Sequence, residues 1–241
     1  TIWLQVMWAI GLCMLTLALL IKLPQRVLLV LGLLIVFGHN LLTPISFSPD
    51  EWGYTLWTIL HDRGYISQGG LIDVKISYPV LPWIGVILLG YCAGPLYATS
   101  RDGDNRKQWL VGLGLACVAL FAILRGFNIY GETLPWQQLA STSETLMSVF
   151  NVTKYPPSLS FLLITLAMMF FGLWLFERPL NRFLNALRTF GSVPMFFYIV
   201  HLYALLALYA IGHAIYGANQ GSYFGVDHIG WIWLIAAILA I

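Results

Sequence analysis

Long apolar runs with almost no charge divide this chain: residues 2–21, 27–43, 79–98, 109–125, 158–176, 193–215 and 229–241. A bilayer core takes about 20 apolar residues per helical span, so the runs read as membrane spans, the last of them cut short. A barrel strand would instead show about 9–11 residues of alternating polarity, and these runs carry no period of two. Helices remain as the spanning form, because each satisfies its own backbone polar groups in lipid. Composition agrees. Only 9% of the 241 residues are charged and 59% are hydrophobic, whereas a soluble domain carries roughly 25% charged residues. Twelve Lys and Arg with ten Asp and Glu cannot cover a water-soluble surface of this size. Disorder is excluded by the aromatic content of 15%, which is the reverse of a disordered composition. The expected fold class is all-α: a polytopic transmembrane helix bundle of about seven spans, with residues 1–241 as a single transmembrane domain.

The sequence begins at Thr1 and stops at Ile241, both inside apolar runs. A fragment of a larger bundle, lacking N-terminal spans, is therefore expected. No basic segment precedes the first run, so no cleavable signal peptide is recognised. Cys13, Cys92 and Cys117 lie within apolar runs and form no CxxC pair, which points to neither a disulfide framework nor a zinc site.

Lys and Arg in the loops set the orientation. One set of alternating loops holds Lys22, Arg26, Arg101, Arg106, Lys107, Arg178, Arg182 and Arg188, with three acids. The opposite set holds Arg63, Lys75, Arg125 and Lys154, with seven acids. The first side is expected in the cytoplasm and Thr1 outside. Cytoplasmic connections are short, and the last of them (ERPLNRFLNALR, 177–188) places Leu180, Phe183, Leu184 and Leu187 on one face, as an interfacial helix does. The outer connections, about 44–78 and 126–157, are long and aromatic. Loops of such length are usually functional or disordered, and their aromatic content argues for function. The working surface is expected there.

Polar groups beside spans are costly and call for a reason. His39 and Asn40 end the second run, Tyr78 and Trp83 open the third, and Arg125 closes the fourth beside Asn128. Asn151, Lys154 and Tyr155 open the fifth, and His61 lies in the first long outer loop. His201 is about 14 Å into the sixth at roughly 1.5 Å per residue. Snorkelling, interhelical hydrogen bonds and the aromatic belt explain each of these singly. Together they bring imidazole, amide, cation and phenol to one membrane depth. The spans hold no carboxylate pair, and Walker, GxGxxG, GxSxG and HExxH motifs are absent. Histidine with Lys, Arg and Asn donors suits acyl transfer, in which a base takes a proton and donors stabilise an oxyanion. His61, His39 and Lys154 are the candidate catalytic residues. Tyr78, Trp83, Arg125, Asn128, Asn151, Tyr155 and His201 are the candidate substrate-binding ones. No metal is expected, and no nucleic acid. The second reading is a carrier for a small or lipid-linked sugar, in which the same groups bind without chemistry.

The segments SYPVLPWIGVILLGY (77–91), NVTKYPPSLSFLLITL (151–166) and FGSVPMFFYIVHLY (190–203) resemble successive motifs of a bacterial membrane family. That family is related to heparan-alpha-glucosaminide N-acetyltransferase and more broadly to multispanning sugar acyltransferases. LQVMWAIGLCML (4–15), His39-Asn40 and Leu60-His61 fit the same pattern. The resemblance implies transfer of an acetyl or similar group from acetyl-CoA or another acyl-CoA to a sugar or glycan acceptor. It further implies a multi-pass protein of the bacterial cytoplasmic membrane, in contact with the lipid bilayer; monomer and homo-oligomer both stay open. The family's early Asp-x-x-Arg-Gly segment, with its active-site histidine, has no counterpart in these residues.

Overall fold

The computed structural model describes residues 2–98, 103–177 and 181–217. They divide into two units, Thr1–Glu177 and Arg178–Ile241, which are taken separately. The run 229–241, Arg101, Arg178 and Leu180 lie outside the described residues.

In the first unit the chain opens with strand β1 (Ile2–Leu4), followed by helices α1 (Val6–Leu20) and α2 (Gln25–Gly38), which runs on as a 3-10 turn over His39–Leu42. The long outer connection holds α3 (Tyr54–Leu60), β2 (Gly64–Ser67) and β3 (Val74–Ile76). Next come α4 (Leu81–Ala93), α5 (Gly103–Gly126), α6 (Thr142–Phe150) and α7 (Leu159–Phe176). The six apolar runs within the described residues all form helices, and the fold is mostly helical. Among the described residues, four helical segments are long and apolar enough to cross a membrane: Gln25–Leu42, Gly103–Gly126, Leu159–Phe176 and Pro194–Ile215. Val6–Leu20 and Leu81–Tyr97 are shorter.

The small sheet corrects the all-helical expectation. Its order is β1-β3-β2, with β1 parallel and β2 antiparallel to β3. Residues 2–4, expected within the first span, are thereby drawn into a strand. Trp3 pairs with Lys75, and Lys75 with Tyr65. Paired residues across a sheet stand side by side on one face, so the Lys75 ammonium lies 4.8 Å from both ring centroids.

Local chemistry sets the helix starts. Pro82 falls in the first turn of α4, where its missing N–H costs nothing. Ser141 and Glu144 form a capping box at α6, and the Ser158 hydroxyl accepts from Phe161 N at 3.0 Å to open α7. Two apolar clusters hold the bundle. One packs α1, α2 and α4 around Ala9, Cys13, Leu28, Ile84 and Leu88. The other joins Val36, Phe121, Leu159, Leu162 and Leu163 across α2, α5 and α7. At the end away from the sheet, Arg106 of α5 pairs with Glu177 after α7, with Nε 2.7 Å from Oε1.

The second unit holds α8 (Arg182–Ser192), which carries the expected interfacial segment and is capped by Asn181, and α9 (Pro194–Tyr216), which starts on its proline.

Candidate functional site

Three outer segments meet at two buried histidines. His39, at the end of α2, sets Nδ1 at 2.9 Å from the Val36 carbonyl and 3.1 Å from that of Ile35. Its Nε2 lies 2.9 Å from the carbonyl of Pro157. His61, just past α3, sets Nε2 at 3.0 Å from the His39 carbonyl and Nδ1 at 2.9 Å from Asp62 Oδ1. Its ring stacks on Trp57, with centroids 5.0 Å apart. The two residues are 2% and 1% exposed, and every ring nitrogen faces a protein oxygen. Neither presents a nitrogen to open space. Next to them the Asn40 side-chain carbonyl accepts from Leu159 N at 2.8 Å, tying α2 to the start of α7.

Arg125 is 2% exposed at the end of α5. Its guanidinium donates to the carbonyls of Leu134, Ser148, Val149 and Asn151, at 2.6, 2.9, 3.0 and 3.0 Å. Three of these belong to the end of α6 and the residue after it, where helix carbonyls lack partners and a cation is favoured. Asn128, at φ 48°, exchanges side-chain hydrogen bonds with the backbone of Trp136 in both directions. The main-chain carbonyl of Asn151 serves Arg125, while the residue itself is exposed. The structure thus uses Arg125 and Asn128 to shape the second outer loop rather than to line an open surface. With Leu124, Tyr130, Glu132 and Pro135 they border a small cavity of about 100 Å³.

Glu132 completes this loop, and sequence reasoning missed it. Its carboxylate accepts from the Thr153 amide and hydroxyl, the Ser158 hydroxyl and the Thr133 amide. Burial raises its pKa, but these donors outweigh burial and hold it below the ordinary carboxylate value. The residue before it, Gly131 at φ 86°, lies against Leu159, and its carbonyl accepts from Ser160 N at 2.9 Å. A Cβ there would approach Leu159 Cβ to 3.0 Å.

The open part of the outer face is aromatic and cationic. Tyr155 donates its hydroxyl to Tyr78 Oη at 2.9 Å, and the two rings meet edge to face at 5.0 Å. Trp83 lies beyond Tyr78, with centroids 6.5 Å apart, and its indole N–H is buried without a hydrogen-bond partner among the described residues. Lys154 Nζ sits 5.1 Å from the Tyr155 ring centroid, and Arg63 Cζ sits 5.5 Å from the same point. Burial raises the Tyr155 phenol, yet the Tyr78 bond and the two cations bring it below its ordinary value. His201 belongs to the second unit, where Nδ1 lies 2.8 Å from the Tyr198 carbonyl and the ring stacks on Phe197. Among the described residues no group of three or more His, Cys, Asp and Glu is placed to hold a metal ion.

A family model for the catalytic part of heparan-alpha-glucosaminide N-acetyltransferase matches residues 1–110. Over that stretch, somewhat under half of the chain, the sequence is similar to that family. The matched stretch carries the sheet, both buried histidines, Arg63, Tyr78 and Trp83, while Arg125, Lys154 and Tyr155 follow it. The long apolar helices are those of an integral membrane protein, and the matched stretch is similar to an acetyltransferase catalytic region. The chain is also 28% identical over 147 residues to the mitochondrial 4-hydroxybenzoate polyprenyltransferase of Arabidopsis thaliana. That similarity covers 48% of this chain and 31% of the plant protein, so the chain spans about a third of that relative's length. No solved structure matches the chain.

Proposed function

We propose that the protein is a membrane acyltransferase that moves an acetyl or similar group from acyl-CoA to a sugar-type acceptor in the bacterial cytoplasmic membrane. The relation of residues 1–110 to an N-acetyltransferase catalytic model carries this reading. The outer face supports it. Tyr78, Trp83 and Tyr155 form an aromatic wall with an unused indole donor, and Lys154 stands exposed beside it. Such a wall with a few convergent polar groups is the usual build of a small-molecule site.

In the reaction an acceptor nitrogen or oxygen forms a bond to the thioester carbonyl carbon, the C–S bond breaks, and the CoA thiolate leaves. The acceptor's proton passes to the departing thiolate, so that CoA leaves as its thiol. Lys154 is assigned to the charge that develops on the carbonyl oxygen or to the acceptor beside it. His39 and His61 are assigned positioning roles in place of the acid–base roles expected from sequence, because their ring nitrogens are occupied by protein oxygens. Arg125 and Asn128 likewise hold the loop that presents Lys154, and Asn151 takes part through its backbone.

The test incubates the purified, reconstituted protein with labelled acetyl-CoA and a panel of amino sugars and sugar alcohols. Label in the acceptor supports the enzyme. Passage of an unmodified sugar through the same vesicles without CoA supports the carrier. Lys154→Ala is expected to abolish transfer while leaving the elution profile and thermal transition unchanged. Full transfer by that variant overturns its assignment.

A further inference from the structure

The outer side holds four cations where the positive-inside tendency would place few. Two have internal employment: Arg125 on the carbonyls of its own loop, and Lys75 between the Trp3 and Tyr65 rings. The other two, Arg63 and Lys154, converge from different segments on one residue, Tyr155, whose hydroxyl Lys154 also hydrogen-bonds. Arg63 Cζ and Lys154 Nζ stand 5.5 and 5.1 Å from the Tyr155 centroid. Both residues are exposed. Among the described residues neither has a carboxylate at ion-pair distance. Asp62, beside Arg63 in sequence, is turned to His61. The backbone of Lys154 is fixed by a bridge to Pro157, which itself receives His39. The ring face attracts each cation, but the cations repel one another. A bound anion turns that repulsion into attraction.

We propose that Arg63 and Lys154, spaced by the Tyr155 ring, form an oxyanion-binding site that takes the carboxylate or phosphate of an acidic ligand. The guanidinium supplies a planar fork for two oxygens, and the ammonium a point charge on the same group. In naming the acceptor as an acidic sugar, the proposal rests on the acyltransferase reading; the anion site itself does not. A loop at the bilayer surface meets the same chemistry in the phosphate of an anionic lipid headgroup. The test separates these two sources.

The protein is placed in phosphatidylcholine nanodiscs, and binding of glucuronate, glucose 6-phosphate and glucose is measured by equilibrium dialysis. A second arm measures enrichment of phosphatidylglycerol over phosphatidylcholine around the protein in mixed nanodiscs. The acidic sugars are expected to bind at least about tenfold tighter than glucose, since a charge-assisted pair contributes about that factor. The advantage disappears in the Arg63→Gln/Lys154→Gln double variant and survives in Lys154→Arg. Phosphatidylglycerol enrichment that the double variant abolishes, without any sugar preference, supports the site and assigns its anion to the headgroup. No preference for any anion, or one undiminished in the double variant, overturns the site. Acyl transfer is followed in parallel. Transfer without anion selectivity removes this inference alone, while anion selectivity without transfer to any acceptor removes the enzymatic reading and leaves the site.

Discussion

Glu132 accepts from Thr133, Leu134, Thr153 and Ser158 of the second outer loop and the start of α7, and its charge strengthens each of these bonds. Its carboxyl is held below the ordinary value of 4.5. The stability it contributes is therefore complete above that value and is lost as pH falls through the lower folded value. Trp136 reports on this loop through its bonds to Asn128 and Gly126. Between pH 6 and pH 3.5 the thermal transition read by tryptophan fluorescence is expected to fall in the native protein. In Glu132→Gln the transition starts lower, because the fold loses about 1–3 kcal/mol with the charged acceptor, and it changes less with pH. Equal pH slopes in the two proteins would show that Glu132 is not the titrating brace. Nothing in the sequence distinguishes Glu132 from the other acids of the outer loops, because Thr153 and Ser158 come near it only after α5 and α7 pack. Arg125 was legible as a costly cation at a span end. Its partners were not, since they are backbone carbonyls, which every residue has. The histidines show the same limit. Their depth and neighbourhood were readable, but whether a ring nitrogen is free depends on which carbonyl the fold brings opposite it.

At the scale of elements, the apolar runs gave helix positions because a span needs length and apolarity, and both are local properties. The strands escaped for the opposite reason. A period of two cannot be seen in three residues, and Ile2–Leu4 sits at the head of an apolar run. How closely the helices approach was equally hidden. In α2 and α4, Gly32 and Gly85 let the two helices meet: a Cβ on Gly85 would come within 2.8 Å of Val36 and 2.9 Å of Ile35, and one on Gly32 within 2.9 Å of Leu89. Small residues permit this approach in lipid, where packing rather than water drives association. Gly90, one and a half turns further along α4, has nothing within 4 Å of such a Cβ. Gly85→Ala is therefore expected to lower stability by about 1–3 kcal/mol through overpacking. Gly90→Ala should be neutral or slightly stabilising, through the entropy of the unfolded chain. Unfolding in graded denaturant compares the two. Equal effects would mean that helix propensity, not the α2–α4 contact, governs both sites.

For the molecule as a whole, hydrogen bonds decide which ends share a side of the membrane, independently of the loop charges. β1 precedes α1 and β3 precedes α4, and the two strands pair, so α1 and α4 start on one side. His39 bonds to Pro157 and Asn40 to Leu159, which puts the end of α2 and the start of α7 there as well. Arg106 and Glu177 join the start of α5 to the end of α7 on the other side. Lys and Arg in the loops add an expected direction to this alternation, with the sheet outside. α1 at 15 residues is about 22 Å long by helix rise, short of a core about 30 Å thick. The residues on either side of it, β1 among them, must then lie near the interfaces. Cysteine labelling tests the arrangement in a background with Cys13, Cys92 and Cys117 replaced. Leu71→Cys, fully exposed between β2 and β3, is expected to react with an impermeant maleimide in intact cells. Lys22→Cys, in the exposed turn between α1 and α2, should react only after permeabilisation. The reverse pattern would invert the charge-based orientation while leaving the fold intact. Labelling of both from the same side would instead require either that α1 does not cross or that the pairing of β1 with β3 is broken, since with α1 crossing that pairing would have to span the bilayer.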